Sequence, residues 1–579
     1  MSNMVNRVFR GVGASSGVAA AEAFIYDKEP PVIPESCGSA EEELERFKAA
    51  VASAKSFYSG MTDKAKARTD GKTAEIFEAY LEFLDDDDSV IEPVCELIAS
   101  GSGAAKAVHE HFEMLAGMMS ALEDETLRER AADFRELGDR LVREILGIKA
   151  KDISSVERDV ILFAHDLAPA DTVNMDAEHI KGIVTEIGGC TSHTAILANA
   201  MSLPAVVGCA GVLSAVKDGD GTAIDGETGE VVLRPDEAAM KRFDEKKALS
   251  EQDGKALEMY RSRPTLTADG HARTVSANAA SASACAEALA AGCDGVGLLR
   301  SEFLYMESNG LPDEARQCAA YGEALEVLKG RHVTIRTLDA GGDKELKYLD
   351  LPPEQNPFMG YRAIRICLDR RELFMTQLRA LLKASVKGEL HIMFPMVSSL
   401  EEFREAKAAV QEARRQLADE GEAVADNVKV GLMIEIPAAA VMADVFAKEA
   451  DFFSIGTNDL MQYTTAVDRG NERVQKLYTH YNPGVIRLIA WVIRSAHEGG
   501  IPCCMCGEAA GDLAFVPALL GMGLDEFSVS VPKITRVRRL ISELSYEECS
   551  AKAELLLKAE TAAQVKNILN GMQPEKYRK

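Results

Sequence analysis

The chain has 579 residues, 47% of them hydrophobic and 27% charged, which is the composition of an ordinary globular protein with room for roughly three or four domains. A formal net charge of −27 argues against nucleic acid as a partner, and no apolar run reaches the roughly 18 residues of a membrane span. Twelve cysteines without a framework spacing fit reduced thiols in a cytoplasm, so a cytoplasmic protein is expected.

Arg7 and Arg10 near the start are not followed by an apolar core, so no secretory signal is expected. Gly11 to Ala21 reads as short strands and turns. From about Ser39 the pattern is helical. Leu44, Phe47, Val51, Ala54 and Tyr58 form one apolar stripe, Ile76 to Leu84 a second, and Leu127, Ala131, Phe134, Gly138, Leu141 and Ile145 a third. Residues 30–150 are therefore expected to be a helical bundle, with the run Asp85 to Asp88 as a solvated loop.

Short β-type runs begin at Val160 to Phe163 and continue at Gly182 to Thr185, Ala205 to Val207, Thr222 to Asp225 and Glu230 to Leu233. They predict a compact α/β unit over residues 151–234. If residues 1–29 add strands to it, the bundle is an insertion. Within this unit the sequence GGCTSHTAILA places His193 at or beside a helix N-terminus, after Gly188 and Gly189. Free N–H groups and the positive end of a helix favour a bound anion there, so His193 is either a carrier of a phosphoryl group or a plain helix-capping histidine. Residues 235–264 read as a charged helical connector with a possible break at Gly254.

Residues 265–579 alternate strand and helix patterns. Eight strands are expected: Thr274 to Asn278, Gly295 to Leu299, Val333 to Leu338, His391 to Met396, Val430 to Glu435, Phe452 to Thr457, Pro502 to Cys506 and Glu526 to Val529. Eight such units indicate a (β/α)8 barrel, whose chemistry sits at the C-terminal ends of its strands. Arg300, Arg336, Glu435, Asn458, Asp459 and Cys506 all fall at such ends, and Arg469 lies on the loop after strand six. The arginines offer forks for phosphate and carboxylate oxygens, Asn458 can donate to a phosphate, and Glu435 with Asp459 suits Mg2+ held against a substrate phosphate. The expected ligand is a small phosphate-carboxylate. Cys503 and Cys506 form a CxxC, but strand alternation points them to opposite faces, so joint metal chelation is not expected. The Cys506 thiol fits a proton donor, while Cys503 and Cys504 read as small buried hydrophobes.

Together GGCTSHTAILA, GVGLLRSEFLYM, RTLDAGGDK, GYRAIR, IEIPAA, SIGTNDLMQYTTAVDR, YNPGVIRL and CGEAAGD closely resemble the Enzyme I family of the bacterial phosphoenolpyruvate:sugar phosphotransferase system. The helical region adds IFEA from Ile76 and RERAADFRELGDR from Arg128, so the resemblance covers nearly the whole chain. It implies a multidomain α/β fold, with a swivelling phosphohistidine domain that carries an inserted bundle, followed by a TIM-type barrel. It also implies that His193 takes phosphate from phosphoenolpyruvate with Mg2+ and passes it to the carrier HPr. Arg300, Arg336, Asn458, Asp459 and Arg469 are then substrate binders, Glu435 and Asp459 the Mg2+ ligands, Cys506 the proton donor and Thr172 an orienter of the histidine ring. The bundle is implied to dock HPr and the barrel to form a homodimer. Two positions depart from the family, which has Arg or Lys where Cys190 stands and Arg where Asn199 stands.

Two other readings share parts of this pattern. A pyruvate phosphate dikinase or phosphoenolpyruvate synthase needs a nucleotide-grasp domain, for which the helical region is too short and lacks a Gly-rich phosphate loop. A catalytically weak regulatory homologue would fit Cys190 and Asn199 but not the intact set of strand-end residues.

Overall fold

A computed structural model describes residues 6–574 apart from 16, 27–32, 35–37, 68–70, 121–124, 149–152, 154–155, 157, 168–178, 190–192, 202, 307, 309, 343–345, 353, 470 and 472. The chain divides into two compact units, Met1–Asp253 and Gly254–Lys579.

The first unit contains a sheet of eight strands, with β1 at Arg7–Arg10, β2 at Val12–Ser15, β3 at Val18–Tyr26, β4 at Val160–Ala164, β5 at Ile180–Thr185, β6 at Ala205–Val207, β7 at Gly221–Asp225 and β8 at Glu230–Leu233. Their order is β1-β8-β7-β3-β4-β5-β6-β2. The early strands are thus built into the same sheet as the later ones: β3 pairs in parallel with β4 and antiparallel with β7, and Arg7 on β1 stands opposite Leu233 on β8. Strand β4 is buried along its whole length because both faces of the sheet are covered. Its alternate residues divide between two cores, Ile161 and Phe163 joining Val184, Val206 and Ile224, while Val160 and Leu162 join Ile183, Ala198 and Ala205.

Between β3 and β4 lie the helices Ala40–Ala67, Gly71–Asp85, Glu92–Ala99, Ala104–Ser120 and Glu125–Leu146. Phe47, Val51, Ala54 and Tyr58 of the expected stripe are buried against Phe77, Tyr80, Phe112 and Phe134. A Cβ at Gly138 would stand 2.6 Å from Phe112 Cβ, so glycine there is what lets the last two helices approach closely. Glu43 accepts from Ala104 N (2.8 Å) and Gly38 N (3.0 Å), capping a helix distant in sequence, and the Ala104 bond leads in holding its carboxyl below the usual range. The run Asp85 to Asp88 is not a loop. Asp85 ends a helix and pairs with Lys55 at 2.6 Å, Asp86 accepts from Ser89 N at 2.9 Å, and Asp87–Ile91 forms a π-helical turn. Val90, buried in that turn, anchors it to the bundle core, while the Asp85 side chain stays 71% exposed, as its charge suggested. The possible break at Gly254 is absent, for the helix Glu237–Glu258 runs through it. One glycine costs a helix only about 1 kcal/mol, which the rest of a long helix tolerates.

The second unit is a closed parallel barrel of β9 (Thr274–Ala279), β10 (Val296–Arg300), β11 (His332–Arg336), β12 (Glu389–Phe394), β13 (Lys429–Ile434), β14 (Phe453–Ile455), β15 (Cys503–Met505) and β16 (Glu526–Val529). All eight expected strands are present. Several end before the residue assigned to close them: Glu435 and Cys506 lie one position beyond β13 and β15, and Asn458 and Asp459 sit in the first turn of the helix Thr457–Thr465 and not on a loop. Apolar residues facing outward from the strands, such as Val333, Ile335, Ile392, Leu432 and Phe527, pack on the surrounding helices. Leu298, Met393, Met433, Phe452 and Cys506 form a separate cluster inside. Arg538, 1% exposed, donates to Thr265 Oγ1, to the carbonyls of Tyr260 and Arg261 and to Asp294, fastening a late helix to the start of the unit. Among the described residues no helix is long and apolar enough to cross a membrane.

Candidate active site at the barrel rim

Parallel strands deliver side chains to one rim, and here that rim encloses a cavity of about 290 Å³. Arg300, Arg336, Glu435, Asn458, Asp459, Arg469 and Cys506 all line it. The strand-end residues spread from 300 to 506 therefore meet in one place. Gly456 lies in the wall, where a Cβ would come within 2.8 Å of Glu435 Oε2 and 2.9 Å of Met433 Sδ.

Arg336 is buried and pairs with Glu302 and, at 3.2 Å, with Asp339. Burial works against its charge, but Glu302, Asp339 and Glu435 more than offset this and hold its pKa above the ordinary value. Behind it Arg362, 1% exposed, donates through Nε (3.1 Å) and Nη2 (3.3 Å) to the two oxygens of Asp339. Its Nη1 reaches Asp459 Oδ1 and the Tyr463 hydroxyl, both at 3.2 Å. The result is a buried chain of alternating charge running from Glu302 through Arg336, Asp339 and Arg362 to Asp459. Neither Glu302, Asp339 nor Arg362 was singled out from the sequence. Their signal was a charged residue inside an apolar stretch, as in TIRTLDA and YRAIRI, and such residues are seldom fully buried unless paired.

Glu435 is 1% exposed and accepts from Met396 N at 2.7 Å. Burial, then Asp459 and Asp339, push its pKa up to about 8 against the pull of Arg336 and Arg362. Two crowded, buried carboxylates, one resisting ionisation, suit a cation. Among the described residues no three His, Cys, Asp or Glu side chains are grouped to hold a metal alone. Two carboxylates, completed by substrate phosphate and water, match the way proteins hold Mg2+ and do not match a closed zinc site. Two non-glycine residues beside this pair have positive φ, Met396 at 57° and Ala363 at 54°. Each such conformation costs on the order of 1–3 kcal/mol. Here the first turns an N–H onto Glu435 and the second bends the chain just after Arg362.

Burial pushes the Cys506 thiol up to about 11, with Arg336 and Arg300 drawing it down, so the group is protonated near neutrality and able to donate. Cys503 packs outside the barrel wall while Cys506 faces its interior, as strand alternation required. Arg469 stacks over Phe358 at 5.4 Å, and Asn458 is tied through its carbonyl to Tyr478 at 3.1 Å.

In the first unit His193 is the first residue of the helix His193–Ala200. Beside it Thr194 is buried and its hydroxyl donates to Asp166 at 3.4 Å, while Ala195 and Ala198 form the buried face. The His193 and Asn199 side chains, Thr172 and Cys190 lie outside the described residues.

The chain matches family models described as PEP-utilising enzyme, N-terminal, over residues 10–130, as the mobile domain over 156–229 and as the PEP-binding domain over 255–546. It is 42% identical to the phosphoenolpyruvate-protein phosphotransferase of Staphylococcus carnosus (strain TM300), across 97% of this chain and 98% of that protein. It is 44% identical to the protein of the same name from Bacillus sp. (strain S), across 98% of each. A solution NMR structure of an Enzyme I (nEIt) protein is 37% identical, with a TM-score of 0.38 over 42% of this chain and 99% of its own.

Proposed function

The chain belongs to the phosphoenolpyruvate-protein phosphotransferase family of PEP-utilising enzymes, and on that premise we propose that it moves the phosphoryl group of phosphoenolpyruvate to its own His193 and then to a histidine of HPr. The observation that supports this reading is the rim cavity, where Arg300, Arg336, Arg469, Asn458, the crowded pair Glu435 and Asp459, and the Cys506 thiol face one small volume.

Arg300, Arg336 and Arg469 bind the phosphate and carboxylate of the substrate, and Asn458 donates to it. Glu435 and Asp459 hold Mg2+, which when bound neutralises charge on the transferring phosphoryl oxygens. A neutral imidazole nitrogen of His193 forms the new N–P bond as the bridging P–O bond breaks, so the chain contributes mainly positioning and electrostatics. The electron pair released to the enolate takes the Cys506 proton at carbon, giving pyruvate and a thiolate that solvent reprotonates. In the same reading residues 1–29 and 151–234 carry the phosphohistidine, 30–150 dock HPr, 235–264 connect, and 265–579 bind phosphoenolpyruvate and form a homodimer. A histidine that serves both a small substrate and a carrier protein must travel between them. The protein works in the cytoplasm, where phosphoenolpyruvate is available.

Exposing the purified chain to phosphoenolpyruvate labelled in its phosphate tests this directly. Wild type is expected to gain acid-labile label that HPr discharges, and His193→Ala to gain none; label retained by the variant would refute the assignment.

A further inference from the structure

Arg362 is placed unlike the arginines that line the cavity. It stands behind the wall, 1% exposed, and its guanidinium donates to Asp339 by two bonds and to Asp459 and Tyr463 by one each. Tyr463 in turn donates to the Phe358 carbonyl, and the Phe358 ring lies 5.7 Å from the guanidinium carbon. The chain reaches this position through Ala363 at φ 54°, whose N–H is secured to the Ala340 carbonyl at 2.9 Å. A planar five-donor fork is needed to meet a carboxylate on one side while reaching a second carboxylate and a phenol on the other; an ammonium has neither the span nor the plane.

Resting on the metal reading above, we propose that Arg362, pinned by Asp339, is a positioning residue for Asp459. It occupies Oδ1 and leaves Oδ2 for the cavity that Asp459 lines. Met396 N performs the matching service for Glu435 by occupying Oε1. Each carboxylate of the pair is thus fixed by one donor and presents its other oxygen, so a divalent cation meets two preset ligands. Groups that orient a ligand in this way typically affect metal affinity by about 10–100-fold.

The position also separates orientation from plain electrostatics. A cation close to a cation site repels the metal, so a merely electrostatic Arg362 would yield tighter metal binding when its charge is removed and no change when it is kept. Positioning requires weaker binding in both cases. The test is Mn2+ binding to the metal-free, full-length chain, followed by electron paramagnetic resonance, with wild type, Arg362→Lys, Arg362→Met, Asp339→Asn and Glu435→Gln, all checked for an unchanged thermal midpoint. Arg362→Lys is expected to weaken Mn2+ by about tenfold or more, with Arg362→Met at least as weak and Asp339→Asn in the same direction. Should either Arg362 variant fail to fold, Tyr463→Phe and Asp339→Asn carry the comparison. Wild-type affinity in Arg362→Lys, or tighter binding in Arg362→Met, overturns the positioning role while loss in Glu435→Gln still upholds the metal site. Equal Mn2+ binding by wild type and Glu435→Gln overturns the metal reading and the positioning with it.

Discussion

Cys506 carries a thiol that burial keeps protonated, at the end of a strand whose other two cysteines face elsewhere or lie deeper in the barrel. Replacing it by Ala should leave labelling of the protein from phosphoenolpyruvate within a few-fold of wild type, while pyruvate formation falls by about 10²-fold, the usual reach of a lost general acid. A coupled pyruvate assay run beside the labelling separates the two, and unchanged pyruvate release would remove the thiol from the mechanism. Gly456→Ala places a Cβ 2.8 Å from Glu435 Oε2, so Mn2+ affinity should drop although no ligand has been altered. At this scale the sequence was informative about types. Arginines and carboxylates at successive strand ends were visible because strand ends can be counted. Asp339 and Arg362 were not, because what makes them important is a partner 23 residues away and another 97 residues away, and one-dimensional spacing does not carry that.

Strands and helices show a second kind of legibility. Alternating or continuous apolar runs marked all eight barrel strands, yet the last residues of seven were misplaced by one or two; Glu435 and Cys506 leave the ladder to face the cavity, whereas Arg300 and Arg336 face it from within the ladder. The π-turn at Asp87–Ile91 and the unbroken helix at Gly254 were hidden for different reasons: the first is held by the burial of Val90, and the second is a local preference of about 1 kcal/mol that a long helix absorbs. The floor of the barrel holds a feature that no periodicity announced. His332 on β11 stacks on His391 of β12 at 5.1 Å, and Glu526 of β16 pairs with His332 at 2.8 Å. Burial, His332 and Lys429 push His391 down to about 4, whereas Glu526 overcomes burial and raises His332. Unfolded, His391 takes up a proton near its ordinary value of 6.5. The folded barrel therefore loses stability as pH falls from about 6.5 to about 4, because only the unfolded chain binds that proton across the window. The His332 contribution has the opposite sense, being complete below 6.5 and lost as pH rises through its raised value. Urea midpoints measured across the acid range should decline in wild type and flatten in His391→Asn; parallel slopes would contradict the assignment.

Over the whole chain, the change from helical stripes to β-type runs marked where one kind of structure gives way to another. The order of strands within the first sheet was not available, since it depends on which apolar faces meet. The single tryptophan, Trp491, belongs to the barrel unit and donates to the Val441 carbonyl at 3.1 Å, so its fluorescence reports that unit. Leu432→Ala, at a fully buried barrel position, should lower the stability read by Trp491 by about 2–5 kcal/mol. The same sheet order bears on how the protein is made. Its first three strands leave the ribosome before the helices, yet β1 and β3 find their partners only among residues from Val160 onward. At about 5–20 residues per second, the stretch from Tyr26 to Val160 takes on the order of ten seconds to synthesise. During that time the helical segment can form from contacts within itself, while three nascent strands remain without a sheet. Translation that stalls after the last of these helices but before β4 would therefore leave a chain with a folded bundle and unprotected β-segments, the form in which chaperones and proteases would first meet it.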